Sequence, residues 1–95
     1  MGMAVRGLTP AQARDAGLGE RGGALVTAVL AGSPAAALGL RSGDIIVSVG
    51  GQALGDASDL EERVKMLAPG APAVLRVWRD GLVIELVLLR QAAAP

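Results

Sequence analysis

The side chains that most often carry acid–base or nucleophilic chemistry are missing from this sequence. It has no cysteine, no histidine and no tyrosine among its 95 residues. A Ser-His-Asp triad, a thiolate nucleophile, an imidazole base and a metal site built from His or Cys are therefore excluded. These absences argue against an independent enzyme and favour a non-catalytic role.

Serine is the remaining candidate nucleophile. The chain has Ser33, Ser42, Ser48 and Ser58, and its single lysine is Lys65. No histidine can activate these hydroxyls, and the lysine falls on the polar side of a predicted helix. Serine is common at helix caps and turns because its hydroxyl bonds nearby backbone groups. We interpret the four serines as caps and turn residues.

Three glycines, Gly17, Gly19 and Gly22, fit the pattern G-x-G-x-x-G. A dinucleotide site needs this pattern between a strand and a following helix, so that phosphate meets the helix N-terminus. Here the sequence predicts a helix before the glycines and a strand after them. The pattern therefore indicates turn glycines rather than a nucleotide site.

An acidic cluster, formed by Asp56, Asp59, Glu61 and Glu62, opens the best predicted helix. Calcium loops instead place oxygen ligands at alternate positions around a glycine turn. Acids in a first helical turn complement the helix dipole, so we interpret them as structural. We expect neither a metal ion nor a cofactor.

The composition describes one small domain with a neutral surface. About half of the residues are apolar, and nine basic and nine acidic residues balance to zero net charge. Nucleic acid needs a basic footprint, so it is not an expected partner. No apolar run reaches the roughly 18–20 residues that span a bilayer, so we expect no membrane insertion of this domain.

The hydrophobic pattern and the turn residues predict the elements that position any site. The hydrophobic pattern and turn residues predict strands at 3–8, 23–30, 44–49, 52–54, 73–78 and 82–89. The second is mostly apolar, so we expect it to be buried on both faces. Helices are predicted at 10–16, 34–38 and 58–67. This order predicts an α+β domain: a small bent antiparallel sheet of five to six strands with one long and two short helices. We expect residues 1–90 to form the domain and 91–95 a disordered tail.

The longest predicted helix leaves one question open. Ser58 is its predicted N-cap, with Glu61 three residues later completing a capping box. Leu60, Val64 and Leu67 form an apolar stripe along it. From the spacing alone, it is about equally probable that these side chains pack in the core or that they line a binding groove.

Four segments together resemble one family. Residues 33–46 (SPAAALGLRSGDII) are similar to the SPAA-x-AGL-x-x-GD-x-I segment of bacterial PDZ domains, with Leu38 in place of the usual Ala. Residues 49–52 (VGGQ) and 70–81, which end in RDG, resemble the following turn and the closing hairpin. Residues 1–18 resemble LGV-x-V-x-x-LTPE-x-A-x-x-x-GL, which opens PDZ domains of HtrA/Deg-type serine proteases. The resemblance covers essentially the whole chain.

This resemblance implies strand addition: PDZ domains bind an extended peptide, usually a C-terminus, at an exposed sheet edge. The implied carboxylate-binding loop is Met1, Gly2 and Met3. The implied peptide-pairing strand is Ala4, Val5, Arg6, Gly7 and Leu8. The implied groove helix contributes Leu60, Arg63, Val64 and Leu67.

The implied function is a non-catalytic module that captures extended, apolar C-terminal or unfolded segments for an attached HtrA-like protease domain. The implied location of the parent protein is the periplasm or the cell envelope. A docking or oligomerisation element that binds no free peptide is the alternative. Many PDZ helices carry His at the position of Leu60. The Leu found here predicts a preference for ligands with an apolar residue two positions before their C-terminal residue. A one-residue slip of the helix would instead put Arg63 in the groove and Leu60 in the core.

Overall fold

A single antiparallel sheet organises the chain. The computed structural model describes residues 2–18, 22–67, 70 and 72–89. Its strands are β1 (Met3–Gly7), β2 (Ala24–Val29), β3 (Ile45–Val49), β4 (Gln52–Ala53), β5 (Pro72–Arg79) and β6 (Leu82–Leu89), and its helices are α1 (Pro10–Asp15), α2 (Pro34–Leu38) and α3 (Ser58–Lys65). The strand order is β1-β2-β3-β5-β6, with β4 paired to β3. The predicted α+β class is confirmed.

The third strand shows why helices lie on both faces of the sheet. Ile45 and Ile46 are neighbours, so their side chains point to opposite faces, yet they are only 7% and 0% exposed. Ile46 lies in the main core with Ala35 of α2 and Leu60 of α3. Ile45 packs in a smaller cluster with Ala13 of α1. The first helix therefore covers one face, and the other two cover the opposite face.

Local turn chemistry sets several element boundaries where the sequence predicts them. The Ser33 hydroxyl accepts a bond from the Ala36 N–H at 3.2 Å and caps α2. Gly39 ends that helix in the left-handed region, at φ 93°. Asp80 and Gly81 both have positive φ, 50° and 79°, as a two-residue turn of type I′ requires. That turn joins β5 to β6.

The start of α3 corrects one prediction. The N-cap is Ala57, which is already helical and makes no side-chain cap bond, so the predicted capping box of Ser58 with Glu61 is wrong. The reason is the turn before the helix, in which the Asp59 carboxylate accepts hydrogen bonds from backbone N–H groups. Asp59 Oδ2 accepts from the Asp56 N–H at 3.2 Å. Because the chain already winds helically at Ala57, Ser58 lies inside the helix.

β2 is predicted to be buried on both faces, and this prediction is wrong for the second half of the strand. This strand pairs with β3 only through Ala24 and Leu25. Beyond them β1 is the only described strand that pairs with β2, and Thr27 and Ala28 are exposed. The second half of β2 is therefore partly exposed, although Val29 packs against the main core.

Other boundaries differ from the prediction by one or two residues. α3 ends at Lys65 with Met66 as its C-cap, two residues earlier than predicted. The predicted tail, residues 91–95, lies outside the described residues. The domain range of 1–90 therefore stays a prediction.

A buried ion pair joins β5 to the turn between α2 and β3. Asp44 is 2% exposed, and its carboxylate accepts from Arg79 Nε at 2.7 Å and Nη2 at 2.6 Å. It also accepts from the Arg41 N–H at 2.9 Å, while Arg79 donates to the Gly39 carbonyl. The hydrogen bond to Asp44 raises the pKa of Arg79 above its ordinary value. This hydrogen bond therefore favours the charged form of the guanidinium.

Thr9 caps α1, whereas Ser58 lies inside α3, so removing the two hydroxyls should lower the free energy of unfolding by different amounts. Thr9 Oγ1 accepts from the Gln12 N–H at 3.1 Å, and Gln12 Oε1 accepts from the Thr9 N–H at 3.0 Å. Thr9→Ala should lower the free energy of unfolding by about 1 kcal/mol, because the hydroxyl that accepts from the Gln12 N–H is lost. Ser58→Ala should change it by less than about 0.5 kcal/mol, since Ser58 is not a cap. Urea unfolding of both variants checks this; equal losses would contradict it.

Candidate functional site

An open groove lies between β1 and α3, with a volume of about 590 Å³. Its apolar floor comes from Met3 and Val5 on the strand and from Leu60 and Val64 on the helix. Leu60 is only 5% exposed and also belongs to the main core. The described residues that line the groove are Met3, Val5, Ala57, Ser58, Leu60, Glu61, Val64 and Lys65.

The first strand presents an unpaired edge to this groove. Among the described strands, only β2 pairs with β1. The Leu30 N–H donates to the Gly2 carbonyl at 2.8 Å, and a threonine hydroxyl of β2 donates to the Ala4 carbonyl at 3.2 Å. Alternate residues of an antiparallel strand direct their backbone groups to opposite sides. Met3 and Val5 therefore turn theirs to the open edge, while their side chains line the groove floor.

The start of β1 is held in an unusual backbone conformation. Gly2 has φ +80°, in the region that favours glycine. A Cβ on Gly2 would lie 2.2 Å from the Ser33 Cβ, so no side chain fits there without a shift. Ser33 is itself fixed, because its hydroxyl donates to the Leu30 carbonyl at 2.6 Å while it caps α2. Met1, the first residue of the predicted carboxylate loop, lies outside the described residues.

The remaining predicted site residues lie away from the groove floor. Arg63 and Leu67 are not among the described residues that line it. Leu67 packs against the main core, and Arg63 is half-buried with an Nε that has no hydrogen-bond partner among the described residues. Ala4 and Arg6 have exposed side chains on the opposite side of β1 from the groove floor. Leu8 packs in the smaller cluster with α1.

Sequence reasoning misses the polar rim of the groove. Ser58, Glu61 and Lys65 line it from α3, with Lys65 Nζ 3.4 Å from Glu61 Oε1. Residues three and four apart share one side of a helix, so the spacing of 57, 58, 61, 64 and 65 contained this signal. The apolar stripe drew the prediction toward 60, 64 and 67 instead. That stripe is centred on the core, and the groove lies to one side of it.

The chemistry of the groove is that of binding. An apolar floor, a polar rim and a row of unpaired backbone groups fit an extended chain better than a reacting small molecule. In the described part of the chain, no three acidic, His or Cys side chains are placed to hold a metal ion. Among the same residues, no helix is long and apolar enough to cross a membrane.

A small antiparallel sheet whose terminal strand faces a helix across an apolar groove defines the class of PDZ domains. A sequence profile described as "PDZ domain" matches residues 25–79. The chain belongs to the PDZ domain family. Its similarity to HtrA/Deg-type proteins, predicted from the opening residues, is confirmed by the relatives that follow.

Curated bacterial proteins carry similar segments. A protein of Bartonella henselae is 38% identical over 81 residues, which cover 85% of this chain and 16% of that protein. A protein of Chlamydia trachomatis is 42% identical over 64 residues, covering 67% of this chain and 13% of that protein. Both are named "Probable periplasmic serine endoprotease DegP-like". The chain thus spans less than a fifth of either relative.

Solved structures show the same fold. A variant of the HtrA-type protease AlgW with a decapeptide has a TM-score of 0.84 and 33% identity, covering 99% of this chain and 30% of that one. The HtrA3 PDZ domain bound to a phage-derived ligand (FGRWV) has a TM-score of 0.77 and 30% identity, covering 94% and 81%. The match with the HtrA3 PDZ domain therefore covers most of both chains.

Proposed function

We propose that this domain captures extended polypeptide segments with apolar C-termini by adding them as a strand to the open edge of β1. The observation that carries the proposal is the coincidence of the unpaired edge with the apolar groove. Met3 and Val5 contribute to both, through their backbone groups and their side chains. A bound strand would thus gain backbone hydrogen bonds and bury alternate side chains at the same time.

The loop at the start of β1 would hold the ligand carboxylate. Backbone N–H groups that converge without an intervening side chain suit an anion, and Gly2 permits that approach. In support, similar solved chains are described with a decapeptide, a tripeptide and the ligand FGRWV. The expected ligands of this chain are C-termini and unfolded segments that end in an apolar residue.

The domain would serve a larger parent protein. Its relatives are named periplasmic serine endoproteases, so we infer an HtrA-like protease in the periplasm as the parent. The chain has no histidine for such catalysis, so its contribution would be recognition or regulation. A single domain would bind weakly, because a short peptide covers less than the ~1,200 Å² of a standard interface.

An amide chemical-shift titration with the hexapeptide AGQLAV tests the proposal. We expect shifts concentrated in β1 and α3, and their loss when the C-terminus is amidated. Val64→Lys should weaken binding at least about tenfold, because burying one apolar side chain contributes about 1.5–3 kcal/mol. Val87→Lys is the matched control, since Val87 is 58% exposed on β6.

Absence of any shift in either element would favour the docking or oligomerisation role instead. Replacing the Leu of the peptide by Thr tests the apolar preference predicted from Leu60. Tighter binding of the Thr peptide would contradict that preference without affecting the main proposal.

A further inference from the structure

The alternation of β1 determines which ligand residue faces which strand residue. A ligand whose C-terminus lies at the Gly2 loop must run antiparallel to β1. Met3 and Val5 turn their backbone groups to the open edge, so ligand residues paired with them are two positions apart. With the last ligand residue paired to Met3, the residue two before it pairs with Val5. The third residue before the end then stands opposite Arg6.

That ligand residue and Arg6 would share the side of the sheet away from the groove floor. Arg6 directs its backbone groups to β2, so the two residues form a non-hydrogen-bonded pair with Cα atoms about 4.5 Å apart. Side chains in such pairs are close, with Cβ atoms about 5 Å apart. Arg6 is exposed, and no ion pair joins it to another described residue. Its guanidinium is therefore available to a ligand carboxylate.

An acidic residue also lies at this end of β1, but on the groove side. A Cβ on Gly7 would be 3.2 Å from Asp56 Oδ1, and Gly7 shares its side of the strand with the groove-lining residues. The same Oδ1 accepts from the Ala57 N–H at 2.6 Å. Asp56 therefore lies on the opposite side of β1 from the Arg6 side chain.

We propose that Arg6 selects ligands with an acidic side chain three residues before the C-terminal residue. This inference rests on the proposed function and deepens it, because it assigns a ligand charge to a side chain outside the groove. The apolar groove floor would select the ligand residues at and near the C-terminus. Arg6 would select the side chain that points to the opposite side of the added strand. An exposed pair of this kind contributes modestly, so the selection is a preference among ligands that already bind.

Three hexapeptides test it: acetylated AGXLAV with Glu, Gln or Lys at X, titrated at low ionic strength. We expect the Glu peptide to bind about two- to fivefold tighter than the Gln peptide, and the Lys peptide to bind more weakly by a similar factor. Arg6→Gln should make the three Kd values equal, and Arg6→Glu should reverse their order. Raised salt should shrink the differences, because exposed charges are screened.

Arg76→Gln is the matched control: it removes the same charge from an exposed site on β5. It should leave the order of the three peptides unchanged. If all three peptides bind equally to the unmodified domain, or if Arg6→Gln keeps the Glu preference, the role of Arg6 is refuted while the proposed function stands. If none binds, both are refuted. The two failures are therefore distinguishable.

Discussion

Asp44→Asn is expected to lower the free energy of unfolding by about 3 kcal/mol, the largest stability loss we foresee from a single isosteric change. The substitution keeps the side-chain shape but removes the charge that three donors converge on. Arg79 would retain its own charge against a neutral amide, in a place where water cannot fully replace the carboxylate. Because 22% of the Arg79 side chain is exposed, we take the lower end of the range for broken buried pairs.

Glu85→Gln supplies the matched control. It makes the same chemical change in the Arg76–Glu85 pair, where the atoms are 3.9 Å apart and both side chains are more than half exposed. The expected loss there is less than about 1 kcal/mol. Urea unfolding of the two variants measures the difference. A loss below about 1 kcal/mol for Asp44→Asn would mean that the buried pair is not a main stabilising contact.

The ion pair also bears on the groove, through the backbone. The Val26 N–H donates to the Asp44 carbonyl, and the Gly43 N–H donates to the Val26 carbonyl, both at 2.8 Å. Val26 in turn pairs with Val5 of β1. The turn at Gly43 and Asp44, which Arg79 fixes, therefore holds the middle of β2 in place. β2 in turn pairs with β1, whose open edge would bind the ligand.

Elements with local determinants could be predicted from the sequence. Ser33 followed by proline, Gly39 at a helix end and the Asp80-Gly81 turn each specify a backbone conformation within a few residues. The structure has all three where the sequence placed them. The strand at residues 3–8 and the alternation of its side chains were also predictable, because a period of two needs no distant information.

Features that depend on distant contacts could not be predicted in the same way. Asp44 and Arg79 are 35 residues apart, and nothing near either residue specifies the other as its partner. The rotation of α3 about its axis likewise depends on what it packs against. Leu60 turns toward both the core and the groove, and Glu61 and Lys65 reach the rim although their charges suggested only a solvent-exposed face.

Gly2→Ala should abolish measurable peptide binding while the domain stays folded. An alanine at φ +80° costs about 1–2 kcal/mol in the left-handed region, and its Cβ would lie 2.2 Å from the Ser33 Cβ. Ser33 caps α2 and bonds the Leu30 carbonyl, so the start of β1 has to move instead. The backbone N–H groups that would hold the carboxylate move with it. Peptide titration and urea unfolding of the variant separate the two effects.

Gly32→Ala distinguishes the clash from the backbone cost. Gly32 has φ +76°, close to that of Gly2, but a Cβ there would meet nothing within 4 Å. Gly32→Ala should lose only the backbone cost of about 1–2 kcal/mol and keep the peptide affinity of the unmodified domain. Adding Ser33→Gly to Gly2→Ala removes the clashing Cβ and should restore part of the binding, at a cap cost of a few tenths of a kcal/mol. If Gly2→Ala binds as well as Gly32→Ala, the carboxylate is held elsewhere and the loop assignment is wrong.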